Sequence, residues 1–174
     1  MTTKQLSSLF VFNLLLISEQ ANANQQWDVV NDSVMGGVSN SKVIQTQSSL
    51  LFTGNVSLDN NGGFASIRTA LNTQGQNTKG ITLRVKGDGQ TYQLRLRTTN
   101  SPDGAAYTHS FKTVKNEWVD INFSPSDFTL TYRGRVLEQQ PVIDFDDIKQ
   151  LGFMIAGKQE GKFKLEVGKI EFTG

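Results

Sequence analysis

Ile81-Thr82-Leu83-Arg84-Val85-Lys86-Gly87-Asp88-Gly89-Gln90-Thr91-Tyr92-Gln93-Leu94-Arg95-Leu96-Arg97 decides the fold class. Ile81, Leu83 and Val85 alternate with Thr82, Arg84 and Lys86. Beyond the glycines, Tyr92, Leu94 and Leu96 alternate with Gln93, Arg95 and Arg97. Successive side chains of a strand point to opposite faces, so a period of two marks a half-buried strand. Gly87-Asp88-Gly89 supplies a turn in which glycine takes positive φ without steric cost. The stretch predicts a hairpin with one apolar face and one arginine-rich face.

The same alternation runs outward in both directions. Leu51-Phe52, Val56 and Leu58 lead to Phe64 and Ile67 through Asp59-Asn60-Asn61-Gly62-Gly63. Asn-Gly is the strongest short-range hairpin signal, so a second hairpin is predicted there. Further strands are predicted at Tyr107–Phe111, Trp118–Phe123, Leu151–Ala156 and Phe163–Phe172. In the last of these the apolar parity flips, from Phe163, Leu165 and Val167 to Ile170 and Phe172. A β-bulge at Gly168-Lys169 keeps both sets on one face. The sole helical candidate is a turn around Asp144–Gln150. About nine or ten short strands at roughly 8–12-residue spacing predict an all-β chain, a single antiparallel β-sandwich.

The chain of 174 residues carries 17 Lys+Arg against 16 Asp+Glu, a net charge of +1. That balance gives no long-range field to steer a polyanion, and no nucleic-acid partner is expected. With no cysteine, disulfides, thiolate metal sites and cysteine nucleophiles are excluded. The single histidine, His109, shares parity with Tyr107 and Phe111 and is expected to pack with them. A hydrolase or lyase on this sandwich would need a carboxylate cluster beside it. No Gly-x-Ser-x-Gly elbow or complete dinucleotide fingerprint is present. No catalytic residue, cofactor or metal site is expected; the acidic turns at Asp59-Asn60 and at Asp144, Asp146 and Asp147 read as plain turns.

Residues 1–23 combine Lys4, an apolar run Leu9–Ile17 and the small-x-small site Ala21-Asn22-Ala23, the three parts of a secretory signal. The run is too short to span a bilayer, which needs roughly 20 residues, so no integral membrane protein is expected. Residues 24–174 are expected to form the single domain. A cleaved leader implies a periplasmic or secreted protein, and an uncleaved first strand a cytoplasmic one.

Two regions carry candidate binding residues. In Trp27–Ser41, Asn31 and Asp32 can bond nearby amides, and Gly36-Gly37 opens a backbone path closed to other residues. This is either a rigid connection with Trp27 and Met35 in the core or a loop facing a partner or ligand through Asn31, Asp32 and Met35. The second region is the non-core side of the strands: Arg84, Lys86, Arg95 and Arg97, with Trp118, Asp120 and Asn122. Guanidinium forks and an indole platform on one sheet face suit a binding surface, with Trp118 as its anchor.

Trp27-x3-Asn31-Asp32-x-Val34-Met35-Gly36-Gly37-Val38-Ser39-x-Ser41 resembles the opening signature of the complex I intermediate-associated protein 30 family. Phe52-x-Gly54-x-Val56-Ser57-Leu58-x-Asn60-Asn61-Gly62-Gly63-Phe64-Ala65-Ser66-Ile67-Arg68 resembles its second, and Leu151–Ala156 through Gly161, Phe163 and Leu165 its tail. Glu117–Phe128 is similar to strands of galactose-binding-like carbohydrate modules. The resemblance implies a jelly roll without catalytic residues. It also implies an assembly or chaperone-like role through protein partners, respiratory-complex assembly intermediates among them. The alternative is a secreted or periplasmic carbohydrate-binding module.

Overall fold

The structure, a computed structural model, describes residues 25–99 and 104–174. The expected leader lies outside the described residues. Twelve strands follow in chain order: β1 (Asp28–Asn31), β2 (Asn40–Gln45), β3 (Leu50–Val56), β4 (Ala65–Ala70), β5 (Gly80–Lys86), β6 (Thr91–Arg97), β7 (Ala106–Lys112), β8 (Trp118–Phe123), β9 (Thr129–Tyr132), β10 (Arg135–Val136), β11 (Gln150–Ile155) and β12 (Gly161–Thr173). They form a seven-stranded sheet, β1-β4-β11-β6-β7-β9-β10, and a five-stranded sheet, β2-β3-β12-β5-β8. Neighbouring strands within each sheet are antiparallel. The result is the expected jelly-roll sandwich.

The alternating apolar residues do what their period requires. Phe52, Leu83, Val85 and Leu165 from one sheet meet Ile67, Leu94, Leu96 and Phe153 from the other, all buried. An aromatic cluster closes one part of the core, with Phe128 5.7 Å from both Phe123 and Phe145. Phe145 reaches it from a single 3₁₀ turn, Phe145–Asp147, where the sequence offered its short helical candidate. The acidic side chains of that turn cap backbone. Asp144 accepts from the Asp146 amide at 3.0 Å, and Asp146 accepts from the Asn77 and Thr78 amides at 2.9 Å each.

The bulge falls where parity put it. β12 pairs with β5 in two registers, shifted between Val167 and Lys169. Phe163, Leu165 and Val167 are buried before the shift, and Ile170 and Phe172 pack on the same core after it.

The two predicted hairpins are corrected. β5 belongs to the five-stranded sheet and β6 to the seven-stranded one; β3 and β4 are divided in the same way. Each pair is an arch across the sandwich. Alternation reports only that one face of each strand is buried, and two strands facing each other across a core satisfy it as well as two paired in one sheet. The Gly87–Gln90 arch is held by Asp88, whose carboxylate accepts from the Gln90 amide (3.0 Å), the Tyr92 hydroxyl (3.0 Å) and the Lys164 amide (2.8 Å). Burial and the adjacent Asp88 charge push the Tyr92 hydroxyl far above the usual phenol range.

Candidate functional site

β1 lies at one edge of the seven-stranded sheet and β2 at one edge of the five-stranded sheet, and the chain between them crosses from sheet to sheet. It makes one 3₁₀ turn, Asp32–Met35, that ends at Gly36 with φ +90°. Only glycine takes that conformation without strain. Asp32, the first residue of the turn, is 0% exposed.

An isolated buried carboxylate would be costly, so its hydrogen bonds must account for it. Oδ1 accepts from the Ser39 amide at 3.0 Å; Oδ2 accepts from the Ser39 hydroxyl at 2.5 Å, the Gly63 amide at 2.7 Å and the Phe64 amide at 3.2 Å. The Ser39 hydroxyl oxygen in turn accepts from the Ser57 amide at 2.9 Å. Burial raises the Asp32 pKa, but the bonds from Ser39, Gly63 and Phe64 outweigh it and hold the carboxyl below the usual carboxylate range.

Two glycines make room for this group. A Cβ on Gly37 would lie 2.4 Å from Asp32 Oδ1, and one on Gly62 would lie 2.6 Å from Oδ2. The two glycine-rich stretches singled out in the sequence therefore meet at one carboxylate. Asn60 adds a bond from Nδ2 to the Gly36 carbonyl at 3.3 Å. Asn31 is also tied inward, its Oδ1 accepting from the Ser41 hydroxyl at 2.7 Å.

This frame displays apolar side chains to solvent. Val34 is 70% exposed, Met35 64% and Val38 50%. With Val29 and Ile44, this segment supplies five of the ten exposed large hydrophobic residues among the described residues. The expectation that Met35 belongs to the core is corrected: the turn that buries Asp32 points Met35 outward. Trp27 does pack on the core, stacked on Phe153 with centroids 6.0 Å apart. Asp32 is corrected as a contact residue, because full burial leaves it nothing to present. Its role is to hold Val34, Met35 and Val38 in place. Parity alone does not reveal Val34 and Val38, since Val34 sits in the turn and Val38 in the irregular stretch before β2, neither of them in a strand.

The single arginine- and tryptophan-bearing face is also corrected. Arg84, Trp118 and Asp120 lie on the outside of the five-stranded sheet, Arg95 and Arg97 on the outside of the seven-stranded sheet. The division follows from the arch at Gly87–Gln90. On the five-stranded side, charges answer one another: Arg84 with Asp120 at 3.0 Å, Lys86 with Glu166 at 2.9 Å, and Lys169 with Glu171. Arg84, Asp120, Lys169 and Glu171 line a shallow open depression with Thr82 and Asn122. Trp118, 37% exposed, lies on Gly168 at the bulge, where a Cβ would come 2.9 Å from its ring. The Lys86 ammonium sits 4.7 Å from the ring centroid.

His109 is half-buried among aromatic rings, 5.4 Å from Phe123 and 6.0 Å from Phe128. Its Nδ1 lies 2.8 Å from the Asp127 carbonyl, an acceptor only, so Nδ1 carries the proton. Tyr107, a possible sugar platform by residue type, is buried and donates its hydroxyl to the Pro141 carbonyl at 3.1 Å. Among the described residues, no cluster of three or more His, Cys, Asp or Glu could hold a metal ion, and no helix is long and apolar enough to cross a membrane.

The fold is a jelly-roll sandwich of the kind also found in carbohydrate-binding modules. The family 11 carbohydrate-binding module of Clostridium thermocellum, solved with a β-1,3-1,4-mixed-linked tetrasaccharide, superposes with a TM-score of 0.61. The superposition covers 87% of this chain and 89% of that one at 17% identity, a likeness of fold. By sequence the chain belongs to the Complex I intermediate-associated protein 30 family, which matches residues 17–167. A relative in Caenorhabditis briggsae, "Probable complex I intermediate-associated protein 30, mitochondrial", is 28% identical over 99 residues, 55% of this chain and 29% of that protein. The chain thus spans under a third of the length of this relative and of its Caenorhabditis elegans counterpart. An uncharacterized Schizosaccharomyces pombe protein is 28% identical over 182 residues, 90% of this chain and 82% of that one.

Proposed function

We infer that the chain is a non-catalytic binding module that acts as an assembly or chaperone-like factor for respiratory complex I intermediates, through protein contacts. The observation that carries this reading is the apolar crest Val34-Met35-Val38, exposed on a turn that a fully buried, four-bonded carboxylate fixes. A fixed apolar crest loses little conformational entropy on docking, which favours association. Family membership supports the nature of the partner, and His109, held by backbone and aromatic rings, supports a role without chemistry.

The test is loss of the chain from its own cells, followed by separation of respiratory complexes on native gels. Assembled complex I is expected to fall and subassemblies to accumulate. The wild-type chain restores assembly, and the Val34→Asp/Met35→Asp double variant does not, at equal abundance. Unchanged complex I after loss would overturn the assembly role; full rescue by the double variant would overturn the crest as the contact.

Carbohydrate binding is the second reading, favoured by the fold it shares with the Clostridium thermocellum module. With Tyr107 buried, Trp118 and the 40%-exposed Tyr132 remain as platforms, on different sheets. Saturable binding on a glycan array, lost in Trp118→Ala, would favour this reading over the first.

A further inference from the structure

The outside of the five-stranded sheet divides into two halves by how its charges are met. On the half formed by β5, β8 and the later part of β12, each outward carboxylate has its cation: Asp120 with Arg84, Glu166 with Lys86 and Glu171 with Lys169. The half formed by β2, β3 and the start of β12 is different. Val43, Phe52, Phe163 and Leu165 pack on the core there, so the alternate positions face solvent. One row across this half reads Lys42, Thr53, Lys164, and the next Asn40, Asn55, Lys162, by register. All three lysines are exposed, and among the described residues none of them makes an ion pair. Neither row contains an acidic residue, and Glu160, just before β12, is turned to the Leu58 amide at 3.5 Å.

The three lysines form a triangle. Lys42 and Lys164 stand about 10 Å apart at their Cα atoms, and Lys162 lies about 7 Å from Lys164 along β12. Those separations are roughly the Debye length at about 0.1 M salt, so the three fields reinforce one another. The chain's net charge of +1 conceals this local cluster. The Thr53 hydroxyl donates to the Phe163 carbonyl at 2.8 Å, which keeps the ground between Lys42 and Lys164 low. Aliphatic side chains border the triangle. The row beyond Lys42 pairs Ile44, 43% exposed, with Leu51, and Val38, 50% exposed, comes two residues before Asn40. A lysine among such neighbours lays its stem along them and keeps its ammonium in the wet layer. The outward positions of β2, β3 and residues 162–164 carry no arginine and no aromatic residue. They therefore lack both the fixed fork that grips a single anion and the flat platform that a base or sugar ring stacks on.

We propose that this half of the five-stranded face docks on an anionic lipid bilayer, with Lys42, Lys162 and Lys164 against the headgroups and Ile44 at the boundary with the acyl chains. A plane of negative charge is met by several flexible point charges on one face and needs no built pocket. Shallow aliphatic contact adds a part of the binding that salt does not screen. The crest hangs from the same end of the sheet, where the Ser39 hydroxyl bonds the Ser57 backbone just past β3, so docking brings the crest near the bilayer. The proposal goes beyond the protein-partner reading and does not depend on it.

The test is sedimentation of the purified full chain with vesicles of phosphatidylcholine alone and of equal parts phosphatidylcholine and phosphatidylglycerol. The phosphatidylcholine arm measures binding that charge does not drive. The chain is expected to partition about tenfold or more better onto the anionic vesicles, a gain that falls as salt rises. Each single Lys→Gln change at Lys42, Lys162 or Lys164 should weaken the anionic binding about fivefold, and the triple variant should erase the gain. Lys112→Gln/Arg133→Gln/Arg135→Gln removes the same charge from exposed positions of β7 and the β9–β10 turn, on the other sheet, and should keep the gain within about twofold. Both triple variants alter exposed side chains and should hold Tm within about 2 °C of wild type. The proposal is overturned by equal partition onto the two vesicle types, by a triple-lysine variant that keeps the gain, or by a control variant that loses it as fully, since net charge alone would then suffice. A polyglutamate peptide that binds these lysines while anionic vesicles do not would also overturn it, in favour of an acidic protein segment. Vesicle binding through the lysines in a chain whose loss spares complex I would retain this surface and reject the assembly role. The converse result would reject the surface alone.

Discussion

Replacing Asp32 with Asn keeps the shape of the side chain and removes its charge. The carboxylate accepts four hydrogen bonds, three of them on Oδ2. An asparagine can turn its oxygen toward those three donors, but its NH2 then faces the Ser39 amide, donor against donor. One buried N–H left unpaired costs about 1–3 kcal/mol. The other three bonds lose their charge assistance, a loss offset in part because a charge no longer has to be buried. The net expectation is about 2 kcal/mol of destabilisation at neutral pH. For a domain of this size that corresponds to a fall in Tm of roughly 4–8 °C. The pH dependence carries a sign. The folded-state pKa of Asp32 is depressed, so its contribution is present above the unfolded value of about 3.9 and is lost as pH falls through the folded value. Thermal unfolding of wild type and Asp32→Asn between neutral pH and about pH 3 should therefore show the gap closing in acid. A variant that melts within about 1 °C of wild type at neutral pH, or a gap that stays constant into acid, would refute the reasoning.

Gly37→Ala drives a methyl into Asp32 and should cost about 1–3 kcal/mol in denaturant unfolding, whereas Gly36→Ala meets open space and carries only the strain of φ +90°, of order 1 kcal/mol. Gly168→Ala should lift the Trp118 ring off the bulge, read as a red shift in tryptophan emission with Tm lowered by no more than a few degrees. Val34→Asp/Met35→Asp alters exposed side chains and should leave stability within about 0.5 kcal/mol while weakening the partner complex by tenfold or more. Trp118→Ala, on the far sheet and already covered by Lys86, should leave that complex within about twofold, as measured by competition binding.

Much of the fold is written in short-range patterns. The alternation from Ile81 to Arg97 marks two strands, and the parity flip after Val167 locates a bulge, because both are statements about which side of a single strand faces the core. What those patterns omit is which strand lies beside which. β5 and β6 are joined by four residues and still belong to different sheets, so alternation alone groups Arg84 with Arg95 and Arg97 although a core separates them. The site was legible to the same depth. Asn31, Asp32 and the paired glycines stood out by type, yet the partners that bury Asp32 include Gly63 and Phe64, thirty-one and thirty-two residues away. That long-range closure turns Met35 outward, against the expectation for an apolar residue. Arg68 is legible from its alternation with the buried Ile67 and Thr69; its place across Gly152 from Arg95 needs the register.

The central claim is that a carboxylate-locked turn presents Val34, Met35 and Val38 to a protein partner. Its most direct test is a photo-crosslinking amino acid at position 35, activated in the chain's own cells, with a matched probe at position 120 on the five-stranded face. The account predicts adducts from position 35 to a subunit of a complex I assembly intermediate and none from position 120. Adducts that form from position 120 but not from position 35 would contradict it.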